Sequence, residues 1–484
     1  MRSLLQKYVP MKATPTHSLL LLALAASPAL ALNTAPNDDK LVIEAGRIIT
    51  LSGEEIENGI IVIEDGRITL VGPADEVEKP WDAPVIGGPE FVAFPGFIEA
   101  HTSSGLDRAN ESVQVAPFLN VADAIDPIAY YFEDCLRYGI TTINVQQGAA
   151  CIVGARGMVV RPTGMTVEEM MMIPEFGLKI SVIPGRSTSR ATQVQALRKA
   201  FSDLQAYLND LVAKEQGERG YAAREALFQG RELDEEDNEG RAMKSSAWSV
   251  DGLEIIPRGA IDEKQAPLLD VVEGRRTVFM HCSTSLDVLH ALDVARDNGF
   301  LRRTVLVISP KCWKAADMIA EAGVPVVLEK GVMDTRRDAV SGEEIETFVP
   351  GILAEKGIRF ALSAEDSSQR SLWYQAALCV GHGLSRDAAI DAVTRVPAEI
   401  LGMGKQIGSI EKGKLGNVVL FSGDPLSITS WVERVIIEGK EVYDRRDDNR
   451  NRHLLDGVQP AGTQGAAQAK TGDGEHKTKQ EEEK

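Results

Sequence analysis

The chain has 484 residues, of which 44% are hydrophobic and 25% charged, which is ordinary composition for a globular protein. This length accommodates one large domain together with a smaller one. The formal net charge is −19 and no cluster of Lys and Arg stands out, so composition excludes nucleic acid as the expected partner.

The N-terminal stretch, residues 1–31, has the pattern of a secretory signal peptide. Basic residues precede an apolar run from Ser18 to Ala26, and Ala29-Leu30-Ala31 follows as a small-x-small cleavage site. The apolar run is too short to span a bilayer. We therefore predict cleavage after Ala31, a periplasmic or secreted location, and no transmembrane segment in the mature chain.

Two clusters of short apolar runs, each punctuated by glycine, flank the centre of the chain. They cover residues 39–95 and 404–445, and both are typical of short β-strands joined by tight turns. Asp65-Gly66, between two apolar runs, is a strong hairpin signal. We expect a small β-sheet domain here.

Between these flanks, residues 96–403 alternate strand-like and helix-like runs. The β-branched run Ile140 to Val145 follows a helical stretch, and Thr304 to Ile308 precedes another. Repeated βα units over this length favour a parallel-sheet α/β domain, and a (β/α)8 barrel fits the size. A doubly wound sheet is the structural alternative, but no Gly-rich phosphate loop supports it.

Two further segments depart from this rhythm. Residues 195–247 are charged and helix-prone, and we predict a solvated insertion there. Residues 446–484 are predicted to be a disordered tail, since their second half lacks large apolar side chains.

Two histidines, His101 and His281, directly follow apolar β-prone runs. In a barrel this places them at the carboxyl ends of strands, where active sites are built. Taken singly, each is either a hydrogen-bonded structural histidine or a metal ligand. His290 and His382 do not end a strand and are interpreted as structural.

The run Phe94-Pro95-Gly96-Phe97-Ile98-Glu99-Ala100-His101 resembles the strand-1 signature of the amidohydrolase superfamily. That signature reads Pro-Gly-apolar-apolar-Asp-x-His-x-His and places two histidines on a catalytic metal. Here the second histidine position is Ser103. The segment from His281 to Leu292 is similar to the strand-5 segment, whose histidine binds metal, and the segment from Val396 to Gly402 is similar to an imidazolonepropionase-like branch. The resemblance implies a TIM-type barrel and one small β-sandwich built from both flanks.

The same resemblance implies a degenerate metal site, in which several of the family's ligand positions carry other residues. Ser309 stands at the usual strand-6 histidine position, and no carboxylate follows the strand-4 run at residues 179–182. The strand-8 Asp position falls on Glu365, with Asp366 adjacent. What remains implies His101, His281 and Asp366 as metal ligands, Glu365 or Asp366 as the catalytic carboxylate, and Ser103 and Ser309 against substrate.

Three ligands and one open position suffice for a catalytic zinc, which would activate a water while the carboxylate carries its proton to the leaving nitrogen. We therefore predict a hydrolase of non-peptide C–N bonds, in amides or cyclic amides, with one divalent metal at most, zinc first, or none. The alternative is a non-catalytic homologue that binds a small ligand in the barrel mouth. A Ser-based hydrolase is disfavoured because no Gly-x-Ser-x-Gly elbow is present. The substrate and the oligomeric state, homo-oligomer included, are left open.

Overall fold

The computed structural model describes residues 40–185, 187–228, 258–364 and 372–451, with side chains described outside 216–228. The predicted signal peptide, Glu365 and Asp366 lie outside these ranges. Over the described ranges, every helix is too short or too polar to cross a membrane.

The structure contains short strands throughout and helices mainly in its central part. The strands are β1 Leu41–Ile48, β2 Ile56–Glu64, β3 Arg67–Pro73, β4 Val85–Phe94, β5 Phe97–Thr102, β6 Ile140–Val145, β7 Val153–Arg156, β8 Met158–Val160, β9 Met171–Ile173, β10 Leu178–Ser181, β11 Val278–Cys282, β12 Thr304–Ile308, β13 Val326–Leu328, β14 Met333–Arg337, β15 Glu344–Phe348, β16 Phe360–Leu362, β17 Val418–Phe421, β18 Val432–Ile437 and β19 Lys440–Asp444. The α-helices are α1 Tyr130–Arg137, α2 Val167–Met170, α3 Arg190–Phe228, α4 Ala266–Val272, α5 Ser285–Asp297, α6 Ala316–Ala322, α7 Val349–Glu355, α8 Leu372–Gly381, α9 Arg386–Asp391 and α10 Arg395–Ile400.

Strands from both flanks hydrogen-bond in one seven-stranded sheet, in the order β19-β18-β17-β4-β1-β2-β3. The β2–β3 turn is Asp65-Gly66, with φ of 50° and 73°, and the β18–β19 turn is Glu438-Gly439, with φ of 48° and 74°. Two consecutive positive φ values match the twist of a two-residue hairpin, which is why glycine is second in both turns. The sheet therefore joins segments that are more than three hundred residues apart, although the domain boundaries assigned from sequence stay a prediction.

The central part is α/β, as predicted, but its parallel strands belong to two separate sheets. One sheet has the order β16-β13-β12-β11-β10-β7 and the other β5-β6-β8-β9. β10 to β13 and β16 run parallel, and so do β5 and β6. Their residues are buried on both faces, which explains their continuous apolar runs.

The prediction of a closed eight-stranded barrel is thus only partly confirmed. Within the described residues the strand ladder is interrupted, because β6 pairs with antiparallel β8 and β10 with antiparallel β7. Between β5 and β16 the link is made by side chains: the Glu99 carboxylate accepts a bond from Ala364 N (2.8 Å), and Ser363 Oγ donates to His101 O (2.7 Å).

The first part of the segment predicted as a solvated insertion is a helix with one buried face. Helix α3 begins at Arg190 and buries a stripe at helical spacing, namely Val194, Leu197, Phe201, Leu204, Leu208 and Val212. Phe201 stacks on Phe300 with ring centroids 5.3 Å apart. The apolar residues were present in the sequence, but the surrounding charges masked their period. Residues 229–257 lie outside the described ranges.

The boundary predicted for the tail, residue 446, is too early. Asp448 is buried and pairs with Arg137 of α1, with Oδ2 to Nε at 2.7 Å, and Arg450 pairs with Asp134 of the same helix at 2.6 Å. These ion pairs attach the chain after β19 to the α/β part. Residues 452–484 lie outside the described ranges.

Candidate active site

The carboxyl ends of the parallel strands meet at one edge of the α/β part. The register pairs Ser181 with His281 and Ile308 with Leu328, so residues that end or follow these strands lie at one level. His101 near the end of β5, His281 in β11 and Glu329 after β13 are all buried there. The ladder aligns His281 with Glu329, since parallel strands hold neighbours about 4.8 Å apart. His101, on β5 of the other sheet, is linked to this edge by the bond from Ser363 Oγ to its carbonyl oxygen.

Glu329 is the centre of this cluster. One of its carboxylate oxygens contacts His281 Nε2, and the other lies 3.6 Å from His101 Nδ1. The two imidazole rings are 6.3 Å apart, centroid to centroid. Lys330 Nζ is 3.4 Å from Glu329 Oε1, although its side chain is half exposed. A carboxylate with a relative exposure of 0% therefore lies between two buried histidines and beside a lysine.

Lys179 completes the buried cluster. It lies two residues before Ser181 on β10, and so on the same face of the strand as Ser181. Its Nζ is 2.7 Å from His101 Nε2, and its side chain is fully buried. Burial first, then the charges of Lys179, His281 and Lys330, hold the pKa of His101 well below its usual value. His101 is therefore a neutral imidazole that accepts from the lysine.

Neighbouring groups hold these side chains in place. The Glu99 carboxylate accepts a bond from His101 N (3.3 Å) as well as from Ala364 N, so it joins β5 to the chain after β16. Asp287 of α5 accepts bonds from the backbone N–H groups of Ser283 (3.1 Å) and Thr284 (2.8 Å). Arg190 Nε binds the same carboxylate at 2.6 Å. The loop that follows His281 is thereby fixed.

The structure brings together His101 and His281 but leaves other predicted residues apart or undescribed. Ser309 is buried, and its Oγ donates to Ser283 O at 2.9 Å, so this hydroxyl supports the loop after β11. Ser103 follows β5 and is partly buried. Glu365 and Asp366, predicted as the catalytic carboxylate and a metal ligand, lie outside the described residues.

Sequence reasoning missed Glu329 and Lys179. Glu329 directly follows the apolar run Val326 to Leu328, and an acid after a buried strand is a signal that could have been used. Lys179 had a weaker signal, a lone cation inside an apolar run. The prediction looked for a carboxylate after β10, whereas the buried polar group lies within β10.

The described donor groups do not fit a metal ion as they stand. No group of three or more His, Cys, Asp or Glu among the residues that the structure describes has the arrangement of a metal site. A zinc ligand must offer a lone pair at about 2.0–2.1 Å from the metal. His101 Nε2 already faces the Lys179 amine, and Ser103 and Ser309 stand where the family pattern has histidines.

Two adjoining cavities open at the other ends of the strands. Their volumes are ≈ 280 and ≈ 340 Å³, and Thr277, Arg303 and Glu399 line both. Thr277 precedes β11, whose far end carries His281. These cavities therefore lie at the amino ends of the parallel strands. In such folds the residues at this end usually contribute to stability and not to catalysis.

Comparison with known proteins shows that part of the chain is similar to amidohydrolases. The model of the Amidohydrolase family matches residues 272–442. A 5-methylthioadenosine/S-adenosylhomocysteine deaminase of Caldicellulosiruptor saccharolyticus is 43% identical over 68 residues, 13% of this chain and 16% of that protein. The imidazolonepropionase of Bacillus cereus is 25% identical over 147 residues, 23% of this chain and 35% of that protein. The chain thus matches about a third or less of these relatives' lengths.

A solved structure supports the same fold. The crystal structure of an amidohydrolase from Thermotoga maritima MSB8 superposes with a TM-score of 0.65 at 24% identity. The superposition covers 84% of this chain and 100% of that one. At this identity the likeness concerns the fold, and chemistry must be argued from the buried cluster.

Proposed function

We propose, from the premise that the chain belongs to the amidohydrolase superfamily, that it is a hydrolase of carbon–nitrogen bonds other than peptide bonds. The buried cluster at the carboxyl ends of the strands is its proposed catalytic centre. The observation that carries this proposal is the contact between Glu329 and His281, two titratable side chains at the ends of separate parallel strands.

In this proposal the Glu329–His281 pair is the general base. A carboxylate that contacts an imidazole fixes the ring and its tautomer and raises its basicity. The pair would take a proton from the attacking water and return it to the leaving nitrogen, as microscopic reversibility requires. Neutral His101 lies on the other side of Glu329. Lys179 contacts its ring, and the Glu99 carboxylate accepts a bond from its backbone N–H.

The relatives support heterocyclic or amide substrates with a C–N bond at the reacting carbon. A deaminase and an imidazolonepropionase are among the similar proteins. His101, Lys179, His281 and Glu329 are each 1% exposed or less, so a substrate reaches them only when the loops after the strands open. Ser103 and Ser309 follow these strands and are the proposed substrate-side residues; the Ser309 hydroxyl, which donates to Ser283 O, would face substrate only after that bond opens.

The test is a hydrolysis screen on cyclic amides, N-acyl amines and aminopurines, with released ammonia or amine and new carboxylate as readouts. We expect at least one class to be turned over. Glu329→Gln and His281→Ala should then lower kcat by a factor on the order of 10²–10⁴. His290→Ala, in α5 and outside the cluster, is the matched control and should keep wild-type turnover.

One result would favour the alternative of a non-catalytic homologue. If no class is hydrolysed while a member of the panel raises the melting temperature, and Glu329→Gln abolishes that shift, the site binds without catalysis. Two substitutions support this alternative: Ser103 and Ser309 replace the histidines of the family pattern.

Export of the mature protein is also part of the proposal. Its support is the signal-like pattern ending in Ala29-Leu30-Ala31. A periplasmic or secreted hydrolase would meet its small-molecule substrates outside the cytoplasm.

A further inference from the structure

The Lys179 amine lies where a metal ion bound to His101 Nε2 would lie. Lys179 Nζ is 2.7 Å from His101 Nε2, and both side chains are fully buried. An ammonium has three donors and no acceptor, so this contact uses the imidazole lone pair. A metal bound through Nε2 would need the same lone pair and the same space.

The charges of the cluster are consistent with a cation supplied by the chain itself. Glu329 contributes a buried carboxylate between the two histidines, and the Lys179 amine lies against the other ring nitrogen of His101. A buried charge is tolerated when it is paired and hydrogen-bonded. A divalent ion placed here would stand within a few ångströms of an ammonium, which repels it strongly at low dielectric constant.

Two residues that follow neighbouring strands also argue against a bound metal ion. Ser103 and Ser309 supply no strong ligand to a soft or borderline metal. Ser309 Oγ is moreover engaged as a donor to Ser283 O. Hydroxyls bind such metals more weakly than imidazoles do, and an internal cation would supply the positive charge that a metal ion would otherwise bring.

We infer that the Lys179 amine takes the place of a metal ion at His101 Nε2, so that this centre is complete without metal. This inference concerns the same cluster as the proposed function but does not depend on catalysis. Its test measures metal content, so its failure and the failure of the hydrolase proposal can be told apart.

The experiment compares zinc binding of the full-length protein and its variants after equilibration with defined free zinc and gel filtration. We expect the wild type to retain far less than one zinc per chain. Lys179→Glu, which frees His101 Nε2 and adds a carboxylate, should retain about one zinc per chain. Its zinc affinity should exceed that of the wild type by at least roughly 10–100-fold.

Two controls locate the gained metal. Lys330→Glu reverses the charge of a lysine that also approaches Glu329 but is half exposed, whereas Lys179 contacts His101 Nε2, and it should gain no comparable zinc. Adding His101→Ala to Lys179→Glu should remove the gained zinc. Melting temperatures with zinc and with chelator complete the set: zinc should stabilise Lys179→Glu and leave the wild type unchanged.

Three results would overturn the inference. One is a wild type that retains about one zinc per chain and loses stability with chelator. A second is a carbamate signal on wild-type Lys179 by ¹³C NMR in labelled bicarbonate, since the modified side chain would be an anionic ligand. A third is a Lys179→Glu variant that is folded by circular dichroism but binds zinc no better than the wild type.

Discussion

At the scale of single residues, the chemistry is concentrated in a few buried polar side chains within an otherwise apolar core. His101 illustrates what burial does to such a group. Its ring is fully buried, and burial together with the Lys179 charge lowers its pKa, so the folded protein holds it neutral. In the unfolded chain the same histidine takes up a proton near pH 6.5.

This difference predicts a pH dependence of stability. Below about pH 6.5 the unfolded state binds a proton that the folded state refuses, so His101 makes the free energy of unfolding fall as pH falls, by at most about 1.4 kcal/mol per pH unit. Urea unfolding at pH 7 and pH 5.5 measures this. His101→Asn should show a smaller decrease than the wild type. Equal decreases in both proteins would contradict a neutral, buried His101.

At the scale of elements, the loop between β11 and α5 decides whether His281 keeps its position. Asp287 binds both backbone N–H groups of Ser283 and Thr284 and the guanidinium of Arg190. Burial opposes ionisation of Asp287, but the bonds from Arg190, Thr284 and Ser283 outweigh it, and the pKa of the carboxyl is lowered. The helix start and the site loop therefore depend on one carboxylate.

We expect Asp287→Ala to lower the free energy of unfolding by about 3 kcal/mol, because it removes a paired buried charge and leaves N–H groups without an acceptor. The measurement is chemical denaturation at pH 7. Asp293→Ala, in the same helix and paired only at 3.4 Å with Arg296 on the surface, should cost less than about 1 kcal/mol. Similar losses in both variants would contradict the role assigned to Asp287.

The lowered pKa of Asp287 also predicts how its contribution to stability changes with pH. Its contribution is complete above the unfolded value near pH 4 and is lost as pH falls through the lower folded pKa. The stability gap between the wild type and Asp287→Ala should therefore narrow from pH 5 to pH 2, as measured by denaturation at both values. A gap that stays constant over this range would exclude an electrostatic origin.

At the scale of the whole molecule, ion pairs and one shared sheet connect parts that are distant in sequence. β17 to β19 join the sheet of β1 to β4, and the chain after β19 returns to α1. Arg137 binds both oxygens of Asp448, at 2.7 and 3.2 Å, and Tyr443 donates to the same carboxylate at 3.0 Å. The last described residues are thus part of the structure.

We expect Asp448→Ala to cost about 1–3 kcal/mol, because it leaves the Tyr443 hydroxyl without its acceptor and removes one of the three carboxylates that bind Arg137. Thermal and chemical denaturation measure the loss. Asp203→Ala, an exposed surface pair with Lys199, is the control and should change stability by less than about 0.5 kcal/mol. If only amide hydrogens near Arg137 exchange faster while the global free energy of unfolding is unchanged, Asp448 does not join the two parts.

For the exported form we expect a mature N-terminus at Leu32, because Ala31 ends the small-x-small pattern. Intact-mass and N-terminal peptide analysis of protein from the native source checks this. Exported protein that retains Met1 would contradict cleavage.

The sequence by itself determined the resemblance to amidohydrolases, the α/β class and the positions of His101 and His281 at strand ends. These rest on local signals: the Pro-Gly-apolar-apolar-acid-x-His run, the apolar runs of buried parallel strands and the glycines of two-residue turns. Such signals lie within a few neighbouring residues, so they are readable without knowledge of contacts.

Only the tertiary structure decided which polar groups meet. Lys179 and His101 are 78 residues apart, and Glu329 is more distant still from His101. Their contact depends on strand register and on the face of β10 from which the Lys179 side chain projects. It also depends on the length of that side chain, whose Nζ extends to His101 Nε2. The same reason hid the Asp448 pair. Long-range packing selects such partners, and a local pattern, such as the acid after an apolar run at Glu329, shows at most that a buried polar group is present and not which group it contacts.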